Sequence, residues 1–393
     1  MNQAGRDPRL DALRGVALVG ILLVNIQSFL SGGPNPIGYL GVDSGPLDRA
    51  VYFITATFIV GKFMPLFGML FGAGFSLLYQ KLKDRYADPK RVYRRRLVFL
   101  LVFGVLHGTF LYFGDITQAY AIAGFVLLRY ADSDRGTLAR ATVHWWLFAA
   151  AWLVLTLLPL GGAPDATAEI VEEIETNTAA AVTLGYLAQW ALRADLFLWQ
   201  VQANLFGLPV VIALMMTGAL AQRSGWLVDA DAPIWRGAKR VGFAVGLPLA
   251  VIHGAWSLNH AGPEANLAMP GWVYACQSAS VALAFAYAAV VLHSAPRALR
   301  AWLAPAGRMP LTNYALQSVT MGVLLTGWGL GLGARLGYAQ LSMLALVIFA
   351  SQVVLSRAWL RHYEQGPLEA LWRRWTYRGA IPRSMTAAPK APE

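Results

Sequence analysis

The chain has 393 residues, of which 57% are hydrophobic and only 13% are charged. A soluble domain usually carries about 25% charged residues, and apolar runs recur here along the whole chain, which excludes a soluble protein with a single membrane anchor. The net charge of +11 would suit nucleic-acid binding, but the basic residues lie in short clusters between apolar runs, so we expect no nucleic-acid partner.

Ten apolar segments are long enough to cross the hydrocarbon core, which requires roughly 20 residues per helix. The predicted spans are 12–30, 51–79, 97–113, 116–130, 143–160, 196–221, 240–259, 271–293, 311–332 and 339–358. The second span contains Gly61 and Pro65, which predicts a kink or a partial break. The predicted fold class is therefore all-α, a polytopic integral membrane protein with about ten transmembrane helices in a single domain, residues 1–380.

The basic residues set the expected orientation. With the amino terminus in the cytoplasm, all but four of the Lys and Arg residues fall on the cytoplasmic side of the ten spans. The four exceptions are Arg49, Lys62, Arg193 and Arg335. Because Lys and Arg concentrate in cytoplasmic loops, both termini are predicted to be cytoplasmic.

Three segments lie outside the spans. Segment 161–195 is Ala-rich and acidic, which predicts an extracytoplasmic loop with an amphipathic helix. Segment 366–378 begins with Gly-Pro and then places Leu and Trp on one face beside two arginines. This pattern predicts an interfacial helix, with membrane lipids as partners. Residues 381–393 are predicted to form a disordered tail.

Polar groups in the first span mark either a packing network or a functional site, since each costs at least about 2.5 kcal/mol at membrane depth on insertion scales. Arg14 and Asn25 are eleven residues apart and share a helix face, and Asp11 can pair with Arg14. These residues form either an inner-leaflet ion pair with an interhelical amide bond, or a cofactor-binding Arg14 and a substrate-binding Asn25.

His107 and Asp115 flank the outer end of the third span. An imidazole is the side chain most readily tuned for proton transfer near neutral pH, and a carboxylate can orient it and stabilise its charged form. The pair therefore predicts a catalytic site, although a satisfied core histidine is the structural alternative and the spacing leaves direct contact open. Lys62, near the middle of the second span, is a third catalytic candidate unless a kink brings it to the outer interface.

Other polar residues allow two interpretations each. Arg193 is the only basic group in the acidic outer segment, where it either binds an anionic substrate or caps the following helix. Asn313 and Gln317 lie one turn apart on the ninth span, as substrate ligands or as amides that join helices.

The cluster Arg94, Arg95 and Arg96 lies where a helix enters the membrane. Such a cluster is explained by the membrane topology alone, by binding of anionic lipid, or by binding of a phosphate-rich cytosolic cofactor. The sequence contains no Walker loop, HExxH or CxxC motif, and no GxGxxG motif after a strand, so no metal site is expected.

Five sequence blocks resemble the YeiB-like bacterial membrane proteins, catalogued as domain of unknown function 418. The first block is Arg9-Leu10-Asp11-Ala12-Leu13-Arg14-Gly15 with Asn25-Ile26. The others are 61–63 with 66–67 and 70–75, 106–108 with 114–116 and 120–121, 307–309 with 311–314 and 317–318, and 366–369 with 371–373 and 376–377. The resemblance runs from near residue 9 to 377 and implies a location in the bacterial inner membrane.

The opening helix also resembles that of the transmembrane acyltransferases, including the heparan glucosaminide acetyltransferases. Those enzymes pass an acyl group from cytosolic acyl-CoA to a sugar on the far side of the membrane, using a membrane histidine. Residues 31–50, which follow the first helix here, contain no histidine. The resemblance therefore implies that His107, on a different helix, would take that role.

The leading hypothesis is a membrane acyltransferase with acyl-CoA as co-substrate and a small-molecule or glycan acceptor. His107 would act as general base, oriented by Asp115, and Lys62 or Asn25 would stabilise the oxyanion. Arg14 and the arginine cluster 94–96 would hold the phosphates. A proton-coupled transporter and a non-catalytic scaffold are the alternatives, and a homo-oligomer is left open.

Overall fold

The structure is a computed structural model that describes residues 7–30, 38–41, 43–157, 167–229, 231–262 and 270–383. Residues 384–393, which make up most of the predicted disordered tail, lie outside the described residues.

The described part of the chain is built from α-helices, with no β-strand. In chain order they are α1 (Pro8–Ser28), α2 (Pro46–Ile54), α3 (Phe63–Arg85), α4 (Pro89–Phe110), α5 (Thr117–Arg129), α6 (Arg135–Leu157), α7 (Thr167–Thr183), α8 (Tyr186–Phe206), α9 (Leu208–Arg223), α10 (Pro233–Val241), α11 (Leu247–Asn259), α12 (Gly271–Ala279), α13 (Val281–His293), α14 (Arg297–Arg308), α15 (Pro310–Leu325), α16 (Tyr338–Trp359) and α17 (Pro367–Tyr377). Two π-helical turns, Thr55–Ile59 and Gly242–Gly246, join α2 to the start of α3 and α10 to α11.

Six helical segments of the described chain are long and apolar enough to cross a membrane by themselves. They are Pro8–Ser28, Pro46–Arg85, Arg135–Leu155, Pro233–Asn259, Gly271–His293 and Tyr338–Trp359. The pair α8 and α9 meets the same test only together, and it bends by 59°. The all-α polytopic membrane fold is thus confirmed. The number ten stays a prediction, because α5 and α15 have only 13 and 16 residues.

The second predicted span is interrupted at Gly61. Gly61 has a φ of +75°, a conformation that is costly for residues with a Cβ atom, and α3 begins two residues later. Pro65 lies in the first turn of α3, where a missing backbone N–H removes no helical hydrogen bond. The predicted break is therefore confirmed, and Gly61 is its cause.

Helix α1 lies at the centre of the described bundle, in contact with α3, α14, α15 and α16. Its closest neighbour is α14, and glycines permit that approach. A Cβ atom on Gly307 would overlap the carbonyl oxygen of Asp11, and one on Gly15 would overlap the carbonyl oxygen of Leu303. This packing fixes the face of α1 that carries Arg14 and the other polar residues of the first span.

Helix α17 forms within the predicted interfacial segment 366–378 and binds the ends of two other helices. Trp372 is buried and its indole N–H donates to the carbonyl oxygen of Arg96, 2.8 Å away. Glu369 accepts hydrogen bonds from the backbone N–H groups of Leu311 and Thr312 at 2.7 and 3.1 Å, which caps the start of α15. The helix predicted in segment 161–195 corresponds to α7, and the membrane side of both segments stays a prediction.

Candidate functional site

The centre of the site is a buried histidine–carboxylate pair. His107 lies one turn before the end of α4, and the following loop returns Asp115 to it. Asp115 Oδ2 lies 2.9 Å from His107 Nδ1, and both side chains are almost fully buried. The contact that the sequence left open is therefore made, and an imidazole in such a pair can exchange protons with a bound substrate.

Asp115 is held in place by the start of α5 and by α8. Its Oδ1 accepts hydrogen bonds from the backbone N–H and the hydroxyl of Thr117, at 2.7 and 2.8 Å. Its carbonyl oxygen accepts from the side-chain amides of Asn204 at 2.8 Å and Gln118 at 3.1 Å. These contacts leave Oδ2 facing the imidazole, where its 2.9 Å approach to Nδ1 is a close contact but lies outside hydrogen-bond geometry.

Helix α15 supplies two further residues that the sequence reasoning missed. Ser318 Oγ lies 2.9 Å from His107 Nε2. The Tyr314 ring centroid lies 4.7 Å from that of His107, and its hydroxyl donates to Asp115 Oδ2 at 3.4 Å. Ser318 is 211 residues from His107 in sequence, so only its place in the ninth-span block of the family pattern could have indicated it.

A cavity of about 800 Å³ lies between α1, α3, α4, α15 and α17. One end is lined by basic side chains, two of them, Lys81 and Arg373, being exposed. The basic residues of this end are Arg14, Lys81, Arg96, Arg308 and Arg373, and the carboxylates of Asp7, Asp11, Glu364 and Glu369 line the same cavity. We call this end the basic entrance.

Two guanidinium groups of the basic entrance lack carboxylate partners, while a third is paired. Arg14 Nη1 donates to Asp11 Oδ1 at 2.8 Å. Among the ion pairs between described residues, none involves Arg96 or Arg308. Arg308 Nη2 donates to the carbonyl oxygen of Glu364 at 3.3 Å, but its Nε is buried and donates to no described group. Arg96 and Arg308 are therefore the two guanidinium groups that the entrance offers to an anionic ligand.

The cavity continues between aromatic side chains and ends beside the histidine pair. The aromatic residues lining it include Phe67, Phe71, Phe75, Tyr93 and Tyr120. Asn25, Thr117 and Tyr314 line its deep end, and the last two contact Asp115. His107 and Asp115 are not themselves among the lining residues, so one layer of side chains separates the cavity from the imidazole.

The arginine cluster and Lys62 occupy different surroundings. Only Arg96 of the cluster lines the cavity, whereas Arg94 is exposed and neither it nor Arg95 is a lining residue in the described chain. Lys62 is fully buried, and its Nζ donates to the carbonyl oxygen of Ala56 at 3.5 Å. The structure brings His107 and Asp115 together but places Lys62 outside their cluster.

The remaining predicted ligands join helices. Asn313 donates to the carbonyl oxygen of Ala306 and to Ser356 Oγ, both at 3.0 Å. Gln317 donates to Gln352 Oε1 at 3.0 Å, which links α15 to α16. These contacts are the interhelical amide bonds that were the structural alternative, and neither residue lines the cavity.

Arg193 closes the end of α4 that carries His107. Its Nη1 donates to the carbonyl oxygen of Phe110 at 3.0 Å, and its guanidinium carbon lies 5.2 Å from the centroid of the Tyr186 ring. Arg193 lies outside the cavity of the basic entrance and lines a separate space of about 30 Å³. A role in substrate binding stays a prediction.

Comparison with known proteins adds the following similarities. Residues 221–379 match the family model described as "Protein of unknown function (DUF418)". The chain is 31% identical to the uncharacterized protein YeiB of Escherichia coli (strain K12), in an alignment that covers 96% of this chain and 98% of that protein. It is 27% identical to the uncharacterized protein YxaH of Bacillus subtilis (strain 168), covering 94% and 93% respectively. No solved structure matches.

Proposed function

The chain belongs to the YeiB-like DUF418 family of proteins, and we propose that it is a membrane acyltransferase whose donor is a cytosolic acyl-CoA. One observation carries this proposal. A single cavity begins at the basic entrance, continues between apolar and aromatic side chains, and ends against two residues that contact Asp115. An acyl-CoA has the same order of chemistry, with phosphates at one end and a thioester and acyl chain at the other.

The donor's phosphates bind at the basic entrance in this proposal. Arg96 and Arg308 supply guanidinium groups that pair with no carboxylate of the described residues, and Arg14 supplies a third beside Asp11. Guanidinium groups are well suited to this role because they bind phosphate oxygens through two parallel hydrogen bonds. The pantetheine arm then lies among the aromatic residues, where burying its apolar surface favours binding by roughly 25 cal/mol per Å².

In this proposal the acyl transfer takes place at the deep end of the cavity. His107 accepts a proton from the nucleophile that attacks the thioester, and Asp115 stabilises the imidazolium that results. The side-chain amide of Asn25, which lines the cavity, donates to the oxygen on which negative charge develops. The proposed acceptor is a small molecule or glycan at the outer side of a bacterial inner membrane.

Acyl transfer by the purified protein tests this proposal. The wild type in lipid nanodiscs is incubated with radiolabelled acetyl-CoA and a mixed pool of glycan and amine acceptors, and label transfer and coenzyme A release are measured. The proposal predicts both products, and a loss of at least about 100-fold in His107→Ala. Undiminished transfer by His107→Ala would refute the site, and the absence of both release and donor binding would favour a scaffold.

A second candidate function, proton-coupled transport, rests on Lys62. This fully buried ammonium lies at the break between two helical segments, and its neighbour Gly61 lines the cavity. Broken helices and membrane-buried ionisable groups are typical of transporter sites. Proton-coupled uptake into proteoliposomes that is abolished in Lys62→Met, with no coenzyme A release, would favour transport over acyl transfer.

A further inference from the structure

Ser318, like Ser342 and Ser356, places its hydroxyl oxygen against a side chain of another helix, and of these three it is the one that faces a histidine. Hydroxyls in helices usually donate to the carbonyl oxygen four residues earlier. Thr142, Thr217, Thr326 and Ser351 all do so here, at 2.7 to 2.9 Å. Ser318 instead places its Oγ 2.9 Å from His107 Nε2, on a helix that is far away in sequence. The hydroxyl of Ser318 therefore contacts the imidazole and, among the described residues, makes no hydrogen bond to its own helix.

The three side chains form an ordered array. Asp115 Oδ2 faces one nitrogen of His107, and Ser318 Oγ faces the other. Thr117 fixes the second carboxylate oxygen, so the order carboxylate, imidazole, hydroxyl is held at the carboxylate end. In such an array the imidazole can take the hydroxyl proton while the carboxylate stabilises its positive charge, which turns the hydroxyl into a nucleophile.

Tyr314 lies beside both the cavity and the array of Asp115, His107 and Ser318. It lies one turn before Ser318 on α15, packs on the His107 ring and lines the cavity. Its hydroxyl is bound to Asp115 by a contact of 3.4 Å, which is long for an O–H···O bond. Because Ser318 does not itself line the cavity, attack by its hydroxyl on a bound substrate requires the ring of Tyr314 to move aside.

We propose that Ser318 is the nucleophile of a two-step transfer and carries the acyl group between donor and acceptor. This inference rests on the proposed acyltransferase function. In the first step His107 Nε2 takes the Ser318 proton, Oγ bonds to the thioester carbonyl carbon, and the carbon–sulfur bond breaks. The coenzyme A thiolate leaves and receives that proton from His107. In the second step His107 takes a proton from the acceptor hydroxyl, which attacks the ester, and the Ser318 oxygen leaves and receives that proton.

The covalent intermediate gives the experiment its readout. The wild type is incubated with acetyl-CoA without acceptor, quenched in acid, digested and examined by mass spectrometry. The expected result is an acetyl group on the peptide that contains Ser318, removed by hydroxylamine and absent from Ser318→Ala and His107→Ala. Transfer to acceptor is expected to fall at least about 100-fold in Ser318→Ala. Full transfer in that variant would overturn the role of Ser318 while leaving the acyltransferase proposal intact.

A fluorophosphonate probe makes the test independent of the donor. It labels an activated serine by forming a phosphorus–oxygen bond as fluoride leaves. We expect labelling of the wild type and of Ser351→Ala, a matched serine whose hydroxyl bonds to its own helix, and none of Ser318→Ala. Monodisperse elution in detergent verifies that each variant is folded. Labelling at Ser318 without any use of acyl-CoA would support the nucleophile and refute the donor, whereas a folded wild type that resists both reagents would refute the nucleophile.

Discussion

The guanidinium carbon of Arg96 lies 3.4 Å from the centroid of the Trp372 ring, so helix α17 covers a cation of the basic entrance. Arg96 and Trp372 both line the cavity. Arg96 is thereby held in place without a carboxylate partner, and it keeps its charge available for a ligand. Such a cation–π contact contributes about 0.5–2 kcal/mol, depending on how far it is removed from water.

Trp372→Ala should detach α17 and weaken acyl-CoA binding. The variant loses the buried indole, its hydrogen bond to the Arg96 carbonyl and the cation–π contact, and truncation of a buried Trp costs roughly 3–5 kcal/mol. Trp375→Ala on the same helix is the control, because 44% of Trp375 is exposed. Thermal unfolding in detergent measures the difference, and equal melting temperatures for the two variants would contradict the docking role.

Arg308→Ala should weaken acyl-CoA binding by about 10- to 100-fold, since a hydrogen bond to a charged group is worth about 1.5–3 kcal/mol. Arg94→Ala is the matched control, because Arg94 is exposed and does not line the cavity. Equilibrium binding of a fluorescent acyl-CoA to protein in nanodiscs distinguishes them. A larger loss in Arg94→Ala would place the donor on the arginine cluster at the membrane surface.

Lys62→Met should fold as well as the wild type and retain acyl transfer. The ammonium is fully buried with a single long hydrogen bond, so replacing it removes a desolvated charge at little cost in contacts. Melting temperature and coenzyme A release are the two measurements. A variant that folds normally but transfers at least about 10-fold more slowly would restore Lys62 to the catalytic site.

Asp132 should make stability depend on acid pH. Hydrogen bonds from the Lys90 ammonium, and then from Lys83 and Tyr79, lower the pKa of the Asp132 carboxyl in the folded chain. The stabilisation is therefore present above the ordinary carboxylate pKa of about 4 and is lost as the pH falls through the lowered value. The effect is small, as surface ion pairs contribute about 0–1 kcal/mol. Asp132→Asn should melt below the wild type at pH 6 and approach it near pH 3, and a constant difference would contradict the pairing.

Apolar periodicity and charge predicted the membrane-spanning helices, but not α14, which packs against α1, and several predicted bounds differ from the observed ones by seven residues or more. Each of the ten predicted spans overlaps a helix or a pair of joined helices. The bend at Gly207, which divides the predicted span 196–221 into α8 and α9, was not predicted, because a glycine inside an apolar run has the same hydropathy whether or not the helix bends. The π-helical turn Thr55–Ile59 was not predicted either, because hydropathy does not distinguish a π-helical turn from an α-helical one.

The candidate site was predictable only where its residues are near in sequence. The pair His107 and Asp115 followed from eight residues of spacing and the chemistry of the two side chains. Ser318 and Arg308 come from elements more than 190 residues away, and no pattern within one helix reveals which distant face a serine or arginine will contact. Neighbouring charges were misleading too, since only one of three consecutive arginines faces the cavity.

Protection of a cavity cysteine by the donor tests the central claim, that acyl-CoA binds in the cavity of the basic entrance. Asn25→Cys is made in a Cys276→Ser background, which removes the sole native cysteine, and Arg236→Cys, an exposed position outside the cavity, is the control. The rate of reaction with a methanethiosulfonate reagent is measured with and without long-chain acyl-CoA. We predict that acyl-CoA slows labelling at position 25 at least about 10-fold and leaves position 236 unchanged. Equal rates at position 25 with and without saturating donor would contradict the account.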